Sequence, residues 1–441
     1  MKLLMQDEAK GKEHTIFVTI FAALMVMLVI MVMLMASAIG VSGVTLRLDE
    51  NAVDILNKQV ENRARYIETQ LQQAQDLTEL SSFINDKARQ MLDEGTLSLD
   101  TLDSTGGESL PLLEVAAPRL LKALRAKQVS GVFLILNTHD FTDRTSGDRL
   151  PCVYLRDLDP EAAPSADNSD VMFERAPAEL VQAFGITTDK AWTPAQQYLD
   201  GEEDAFYVRP FQAAYESGEQ TGAAADYGRW TTLPYTLLGD DREAIAYAQP
   251  LILDDGTVYG VVGVELLCSY LEEQLPLTEL QNDGTGAYLL AVTTDKKPVG
   301  SIPLQPVTFS TQDRSLKSAQ SIVMQDSSAA GTIVVNKTKY FACAEPLTLY
   351  DRNAPFSGEH WLLLGIVPNS TLYKISNDMQ SLLLVAVVLT LGVGLVCSYL
   401  VSRGLAHPIR QLSDEVAAIQ DKRTEIPKLS RTGIREIDGF S

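Results

Sequence analysis

Ala244-Ile245-Ala246-Tyr247, Pro250-Leu251-Ile252-Leu253, the acidic turn Asp254-Asp255-Gly256 and Val258-Tyr259-Gly260-Val261-Val262-Gly263-Val264 follow one another almost without a gap. Asp-Gly between two apolar runs is a hairpin signal, because the turn needs residues that tolerate a left-handed backbone. Other short β-type runs lie upstream, at Val132-Phe133-Leu134-Ile135-Leu136 and Val153-Tyr154-Leu155. A second group follows downstream, at Ala287-Tyr288-Leu289-Leu290-Ala291-Val292, Gly331-Thr332-Ile333-Val334-Val335 and His360 to Pro368. In both groups the last run passes straight into a short helical stretch, Leu267–Leu271 in one and Ser370–Tyr373 in the other. The pattern predicts an α+β chain with two strand-rich modules in tandem, over about 100–275 and 280–370. A single large α+β domain is the alternative.

Ahead of the strands, Leu56, Val60, Ala64, Ile67, Leu71, Ala74, Leu77, Leu80, Ile84, Ala88 and Met91 recur at steps of three and four. This spacing predicts a long amphipathic helix over 50–94, capped by Asp49 or Asn51 and closed by Gly95. Its narrow apolar stripe also suits a partner helix from a second copy, so a homodimer is expected.

The apolar residues concentrate at two further places. Thr15 to Leu46 and Met379 to Ser402 contain no charged residue, and roughly 20 apolar residues suffice to cross a bilayer as a helix. Transmembrane helices are expected over 15–44 and 379–402, enclosing an extracytoplasmic region over 45–375, with a leader (1–14) and a tail (403–441) in the cytoplasm. A cleaved signal peptide is the alternative for the first run, with Ala36-Ser37-Ala38 as its site. Against it, the apolar stretch is long and the leader mixes Lys2, Lys10 and Lys12 with Asp7, Glu8 and Glu13. The flanking Lys and Arg favour the inner side only weakly. The formal charge is −22, and almost all of it falls on the middle region. So acidic a body repels nucleic acid, which is excluded as a partner.

A family resemblance follows from several blocks. The long helix, tandem modules and flanking spans resemble the double Cache sensor domains of bacterial receptors, built from two PAS-like antiparallel-sheet folds. Val153-Tyr154-Leu155-Arg156-Asp157, Tyr207-Val208-Arg209-Pro210-Phe211, Tyr227-Gly228-Arg229-Trp230 and Ile245 to Ile252 resemble a sub-group on clostridial-type signalling proteins. The resemblance spans roughly 45–375 and implies a small-molecule ligand outside the cell. It places Tyr207, Arg209, Arg229, Trp230, Tyr235 and Tyr247 where the resembled fold lines its pocket. Arg209 or Arg229 would pair a ligand carboxylate, with Trp230 stacking on it. The alternative is that Trp230 and the tyrosines are core and Arg229 is surface. Amino-acid-binding relatives carry Arg-x-Trp; here Arg229 and Trp230 are adjacent, so that pattern is not met.

After the second span, Pro408 is expected to begin a helix bearing Ile409, Leu412, Val416 and Ile419 at steps of 3, 4 and 3, a coiled-coil seam. Lys422 to Ser430 breaks it and a restart follows at Ile434-Arg435-Glu436-Ile437-Asp438. Together these resemble a HAMP linker, which relays membrane signals through a dimeric four-helix bundle, with Glu436 at its restart. Stopping at Ser441, one turn into the second HAMP helix, the chain is expected to be truncated ahead of an output domain. The Thr432–Asp438 wording resembles diguanylate cyclase (GGDEF) proteins; a histidine kinase or a chemoreceptor stalk are the other outputs.

Enzyme signatures are absent: there is no phosphate-binding Gly-Lys-Ser/Thr loop, no H-E-x-x-H and no G-x-S-x-G. No catalytic role, cofactor or metal is expected. The four histidines, 14, 139, 360 and 407, are scattered, and His139-Asp140 reads as a strand-end turn. Cys152, Cys268 and Cys343 have no framework spacing, and Cys397 lies in the second span. The reading is therefore a receptor. A membrane-anchored surface binding protein is the rival, and an ectoenzyme a third possibility without supporting residues.

Overall fold

The hairpin forms around Gly256, whose φ of +88° is one that a side chain resists. Its N–H bonds the Leu253 carbonyl, and the Leu253 N–H bonds the Thr257 carbonyl, each at 2.9 Å. In the computed structural model, residues 16–41, 43–199, 201, 205–218, 224–280, 285–294, 301–312, 316, 322–325, 330–335 and 338–421 are described. The elements run α1 (Ile16–Val41), α2 (Val44–Gln75), α3 (Thr78–Asp93), α4 (Leu110–Lys127), β1 (Gly131–Leu136), β2 (Arg149–Leu150), β3 (Cys152–Asp157) and β4 (Val171–Arg175). They continue with α5 (Ala178–Phe184), β5 (Thr187–Thr193), β6 (Gln196–Gln197), α6 (Val208–Ser217), β7 (Arg229–Trp230), β8 (Ala244–Ile252), β9 (Val258–Leu267) and α7 (Cys268–Glu273). Last come β10 (Ala287–Thr293), β11 (Ser301–Thr311), β12 (Ile322–Gln325), β13 (Ala330–Val335), β14 (Thr338–Leu347), β15 (His360–Pro368), α8 (Asn369–Leu372) and α9 (Lys374–Asp421). The chain divides into two units, Val53–Leu372 and the two terminal stretches taken together. The class is α+β, with antiparallel sheets in the middle of the sequence and an apolar helix toward each end of it.

Within Val53–Leu372 the first strand group makes a seven-stranded sheet of order β5-β4-β3-β1-β9-β8-β7, antiparallel except for β4 with β5. Its central strands are buried on both faces, which is why they read as unbroken apolar runs and not as alternation. Helices α3 and α4 contribute Leu80, Ile84, Leu112, Leu113, Leu120 and Leu124 to the core, and α6 contributes Val208, Phe211 and Ala214. Each large apolar side chain so buried contributes about 1.5–3 kcal/mol relative to exposure. Gly263 is obligatory at its place in β9, because a Cβ there would run into the Phe133 ring and the Tyr247 carbonyl.

The second group repeats the arrangement. β11-β10-β15-β14 are neighbours in the same sense as β3-β1-β9-β8, the first strand lying beside the last in each. The groups then part. In the second, β12 pairs with β13 and closes a six-stranded barrel around Leu289, Ala291, Leu304, Phe309, Leu316, Tyr340 and Ile366. The first stays an open sheet.

The helical pattern over 50–94 is two helices, not one. Asp49 and Asn51 lie inside α2, which starts at Val44, while Gly95, at φ +72°, ends α3 as its position suggests. Asp76 and Leu77 interrupt the run: Leu77 is the N-cap of α3, and the Asp76 carboxylate accepts the Thr78 N–H at 3.3 Å beside it. α2 buries Leu56, Val60, Ala64, Ile67, Leu71 and Ala74. Val60 occupies the space that Gly365 of β15 leaves open; Gln72 donates to the Thr348 carbonyl and Gln75 to the Leu349 carbonyl, each at 2.8 Å.

In the other unit, α1 and α9 pack on one another. Both are long and apolar enough to cross a membrane, over Phe17–Ser37 and within Lys374–Gln411. Gly394 leaves room for Leu28, and Phe17 meets Tyr399 edge-on with ring centroids 5.8 Å apart. Ser398, Ser402 and Ala406 continue the Gly394 row at four-residue spacing and are buried, the small-residue seam by which helices approach in lipid. Met27, Met31, Leu34, Leu382, Leu389 and Val393 face outward. Pro408 does not begin a helix; it lies inside α9, costing one backbone rung without ending it. Ile409, Leu412, Val416 and Ile419 share that helix, whereas Glu436 lies outside the described residues.

Candidate functional site

The face of the seven-stranded sheet toward α6 carries two adjoining layers. The first is aromatic. Phe133 of β1 stacks on Tyr154 of β3 at 5.1 Å and meets Phe206 edge-on at 4.9 Å. Phe206 stacks on Tyr235 at 4.5 Å and touches Tyr207 at 5.1 Å. Phe141 closes the layer against Tyr207, Tyr198 and Phe211. Such pairs add about 0.5–1.5 kcal/mol beyond their buried area.

The second layer is ionic and centred on Arg156. Its Nε and Nη2 donate to the two oxygens of Glu265, at 2.7 Å each, and its Nη1 bonds Glu174 at 2.9 Å and Asp240 at 2.5 Å. The four side chains are wholly buried. Arg242 covers them, donating to Asp240 at 2.8 Å and lying 3.1 Å from Glu174 and 3.2 Å from Asp189. The Tyr154 hydroxyl donates to Glu265, and the Tyr235 hydroxyl reaches the same carboxylate at 3.2 Å. The two hydroxyls are 2.9 Å apart, so they join the layers.

Burial and the neighbouring Glu265 charge hold both phenols well above their ordinary range, so they remain neutral donors. Burial works against the Arg156 charge, but Glu265 and Glu174 outweigh it and keep the guanidinium protonated. Burial raises the Asp240 carboxyl too, yet hydrogen bonds from Arg242 and Arg156 overcome that and bring it down to about 2. Glu174 goes the other way: desolvation lifts its carboxyl above the ordinary value despite Arg156 and Arg242. Removing one partner of so buried a pair costs about 3–5 kcal/mol.

The six residues expected to line a pocket divide. Tyr207 and Tyr235 belong to the aromatic layer. Arg209 is exposed on α6. Arg229, Trp230 and Tyr247 lie elsewhere, where the sheet meets the barrel. Trp230 is fully buried, its ring 5.6 Å from Tyr247 and its backbone N–H donating to the Tyr350 hydroxyl at 2.9 Å. Arg229 is bonded to Glu359, with its guanidinium over Phe356 at 5.3 Å. Tyr247 alternates with Ala246 and Ala248 along β8, so it faces away from α6. It lines a cleft of about 340 Å³ with Gln75, Asp76 and Tyr350. Trp230 is therefore core and Arg229 a partnered, nearly buried group, not a surface charge.

Arg156, Glu174, Asp189, Asp240, Arg242, Glu265 and Phe206 were not among the expected residues. A signal for one of them is visible: Glu265 is a single charge inside an otherwise apolar strand run, whereas Arg156 stands beside Asp157 at the end of its strand. Among the described residues no group of His, Cys, Asp and Glu is arranged to hold a metal ion. Cys152, Cys268 and Cys343 are buried free thiols, each pushed up to about 12 by desolvation.

No family model and no curated protein matches the chain. Among solved structures it is similar to the periplasmic sensory domain of the Campylobacter jejuni chemoreceptor Tlp1, at 13% identity over 74% of this chain and 98% of that one, TM-score 0.40. It is also similar to the ligand-binding domain of the Pseudomonas aeruginosa amino acid chemoreceptor PctB in complex with L-Arg (15%, 74% and 93%, TM-score 0.35). A third is the ligand-binding domain of the Pseudomonas fluorescens chemoreceptor CtaA in complex with L-isoleucine (16%, 75% and 97%, TM-score 0.34). All three scores are below 0.5, so the site's function rests on its own geometry.

Proposed function

We propose that this chain is the sensing region of a transmembrane receptor that binds a small molecule outside the cytoplasm. The observation that carries the reading is that one α+β body, Val53–Leu372, is flanked along the sequence by two apolar helices that pack on each other through a small-residue seam. Both ends of such a body enter the bilayer, with the chain termini in the cytoplasm. The binding face is the α6 side of the open sheet, where neutral tyrosine hydroxyls border an aromatic wall. Specific recognition needs an apolar wall with a few fixed polar groups.

Segment 224–242 couples this face to the barrel. It carries Tyr235, Asp240 and Arg242 into the site, and Arg229 and Trp230 onto Glu359 and Tyr350. The barrel's last strand continues through α8 into α9, so a ligand favouring one packing of the segment biases the helix that leaves the body. The double Cache resemblance supports this sensor, and the seam from Ile409 to Ile419 with the Glu436 restart resembles a HAMP relay. The 432–438 wording favours a diguanylate cyclase output, and the Ile409–Ile419 seam a homodimer, since the α2 stripe is already covered by the chain's own body.

The test is a thermal-shift screen of the full chain in nanodiscs against amino acids, organic acids, amines, sugars and nucleosides. One class raises the melting temperature saturably, and Tyr235→Ala removes the effect. A screen in which nothing stabilises the chain overturns the reading.

A further inference from the structure

We propose that the cleft between α3 and α4 is a second binding site, separate from the α6 face, for a small organic carboxylate with an apolar body.

The cleft holds about 400 Å³, within the range of small-molecule sites. None of its lining residues belongs to the aromatic or the ionic layer. Its walls follow from helix periodicity. Arg119, Lys122, Ala123 and Ala126 stand at i, i+3, i+4 and i+7 and so share one face of α4, while Leu80 and Phe83 of α3 line the other wall. The opposite face of α4 is spent on the core, through Leu112, Leu113, Leu120 and Leu124.

Charge gives the cleft its character. The chain carries 58 Asp and Glu against 36 Lys and Arg, and its cations are readily claimed. Arg63, Arg144 and Arg229 each lie against a carboxylate, and so does Arg125 of α4 itself. Arg119, Lys122 and Lys127 all line this cleft, yet none of the three has an ion-pair partner among the described residues. Asp76 and Glu79 also line it and act on Lys127 through space. Burial nevertheless holds that ammonium below its ordinary range. An anion beside it would offset the lost hydration.

The ligand class follows from the neighbours of these cations. The Arg119 guanidinium lies 4.5 Å from the centre of the Phe83 ring, a contact that orients its planar fork of donors. Such a fork matches the two oxygens of a carboxylate, and Lys122, one turn along, adds a second charge. Leu80, Phe83, Ala123 and Ala126 offer apolar surface that an inorganic anion would leave uncovered. Lys127 also donates to the Gln73 carbonyl in the last turn of α2, at 2.8 Å. An occupant therefore bears on three helices at once and tunes the body apart from its α6 face.

Thermal shift on the full chain in phosphatidylcholine nanodiscs tests this. Sodium benzoate, phenylacetate and hexanoate are the probes; benzamide, sodium acetate, sodium phosphate and sodium chloride are the comparators. At least one probe is expected to raise the melting temperature saturably. Benzamide lacks the charge, acetate and phosphate lack the apolar body, and none of them matches it. Arg119 and Lys122 are exposed, so a chain carrying Arg119→Gln and Lys122→Gln folds, and it binds that probe about ten-fold more weakly or worse. Tyr235→Ala leaves the probe's effect in place. If no probe gives a saturable shift, or the shift survives the double substitution, the second site is overturned while the sensing role of the α6 face stands. A shift abolished by Tyr235→Ala overturns it too, by assigning the carboxylate to the α6 face. Benzamide or phosphate matching the best probe overturns the ligand class.

Discussion

Arg229 and Glu359, 130 residues apart, are joined by the Arg229 Nε at 2.9 Å and Nη2 at 2.8 Å, and this pair fastens the edge strand of the open sheet to the barrel. With 7% and 14% of their side chains exposed, the two groups are shielded from screening by solvent. The Trp230 N–H to Tyr350 bond lies immediately beside them. Arg229→Gln or Glu359→Gln is expected to cost about 2–3 kcal/mol by denaturant unfolding. The double variant costs less than the sum, by about 1 kcal/mol or more of coupling. Additive costs would show that the pair is not a fastening. Tyr350→Phe, which strips the Trp230 N–H of its acceptor, costs about 1–3 kcal/mol.

Glu174 sets a pH dependence of defined sign. Burial raises its carboxyl above the ordinary 4.5 in the folded state. From that value upward, until the raised value is passed, the folded chain holds a proton that the unfolded chain has released, and stability falls as pH rises. The slope from one group is at most about 1.4 kcal/mol per pH unit. Glu174→Gln cannot titrate, so its stability relative to wild type improves as pH increases through the window and levels off above it. Asp240 acts with the opposite sign. Its carboxyl is held at about 2 in the folded state, so its contribution is complete above 3.8 and is lost as pH falls toward 2. Melting curves of wild type and Glu174→Gln between pH 4 and 8 measure the first effect; a constant difference across that range contradicts it.

The parts of this fold legible in sequence are those decided within a dozen residues. The hairpin around Gly256 is local turn chemistry. The apolar strand runs reflect burial on both faces of the sheet, and the two apolar helices reflect a non-polar surround. Longer-range matters were not legible. Leu77 continues the three-and-four spacing, so the periodicity runs straight through the break at Asp76 and Leu77. Pro408 sits where an isolated segment would restart, but one lost rung does not stop a helix of 48 residues. Barrel closure depends on β12 meeting β13, which strand character alone does not reveal. The site was half-legible: aromatic residues and arginines were visible as types. Whether Trp230 meets a ligand or Tyr350, 120 residues away, is a matter of tertiary packing.

Thiol chemistry reports on burial directly. Cys152, Cys268 and Cys343 are buried with thiols pushed up to about 12, so almost no thiolate is present near neutrality, and the thiolate is the reactive form. Cys397 is exposed on α9. Intact-mass measurement after maleimide treatment of the folded chain is expected to show at most one adduct, on Cys397. Unfolding in guanidinium exposes all four cysteines of the sequence. Rapid labelling of any of the three in the native state would contradict their placement.

Gly392 and Gly394 offer a matched pair for testing the α1–α9 contact. A Cβ at Gly394 would collide with Leu28 of α1, whereas at Gly392 it would meet nothing within 4 Å. Both glycines lie in the same helix two residues apart, so valine changes intrinsic helix preference and local hydrophobicity alike at both. Only the space differs. Between helices in lipid there is little hydrophobic driving force, and association depends on close backbone approach at small residues. Gly394→Val is therefore expected to separate the helices and lower stability by about 1–3 kcal/mol, the usual cost of overpacking. Gly392→Val stays within about 0.5 kcal/mol of wild type, as for a surface change. Thermal unfolding in one detergent for all three chains measures this, and a distance between spin labels on α1 and α9 shows whether the gap opens. Equal effects from the two valines would mean that Leu28 and Gly394 do not meet.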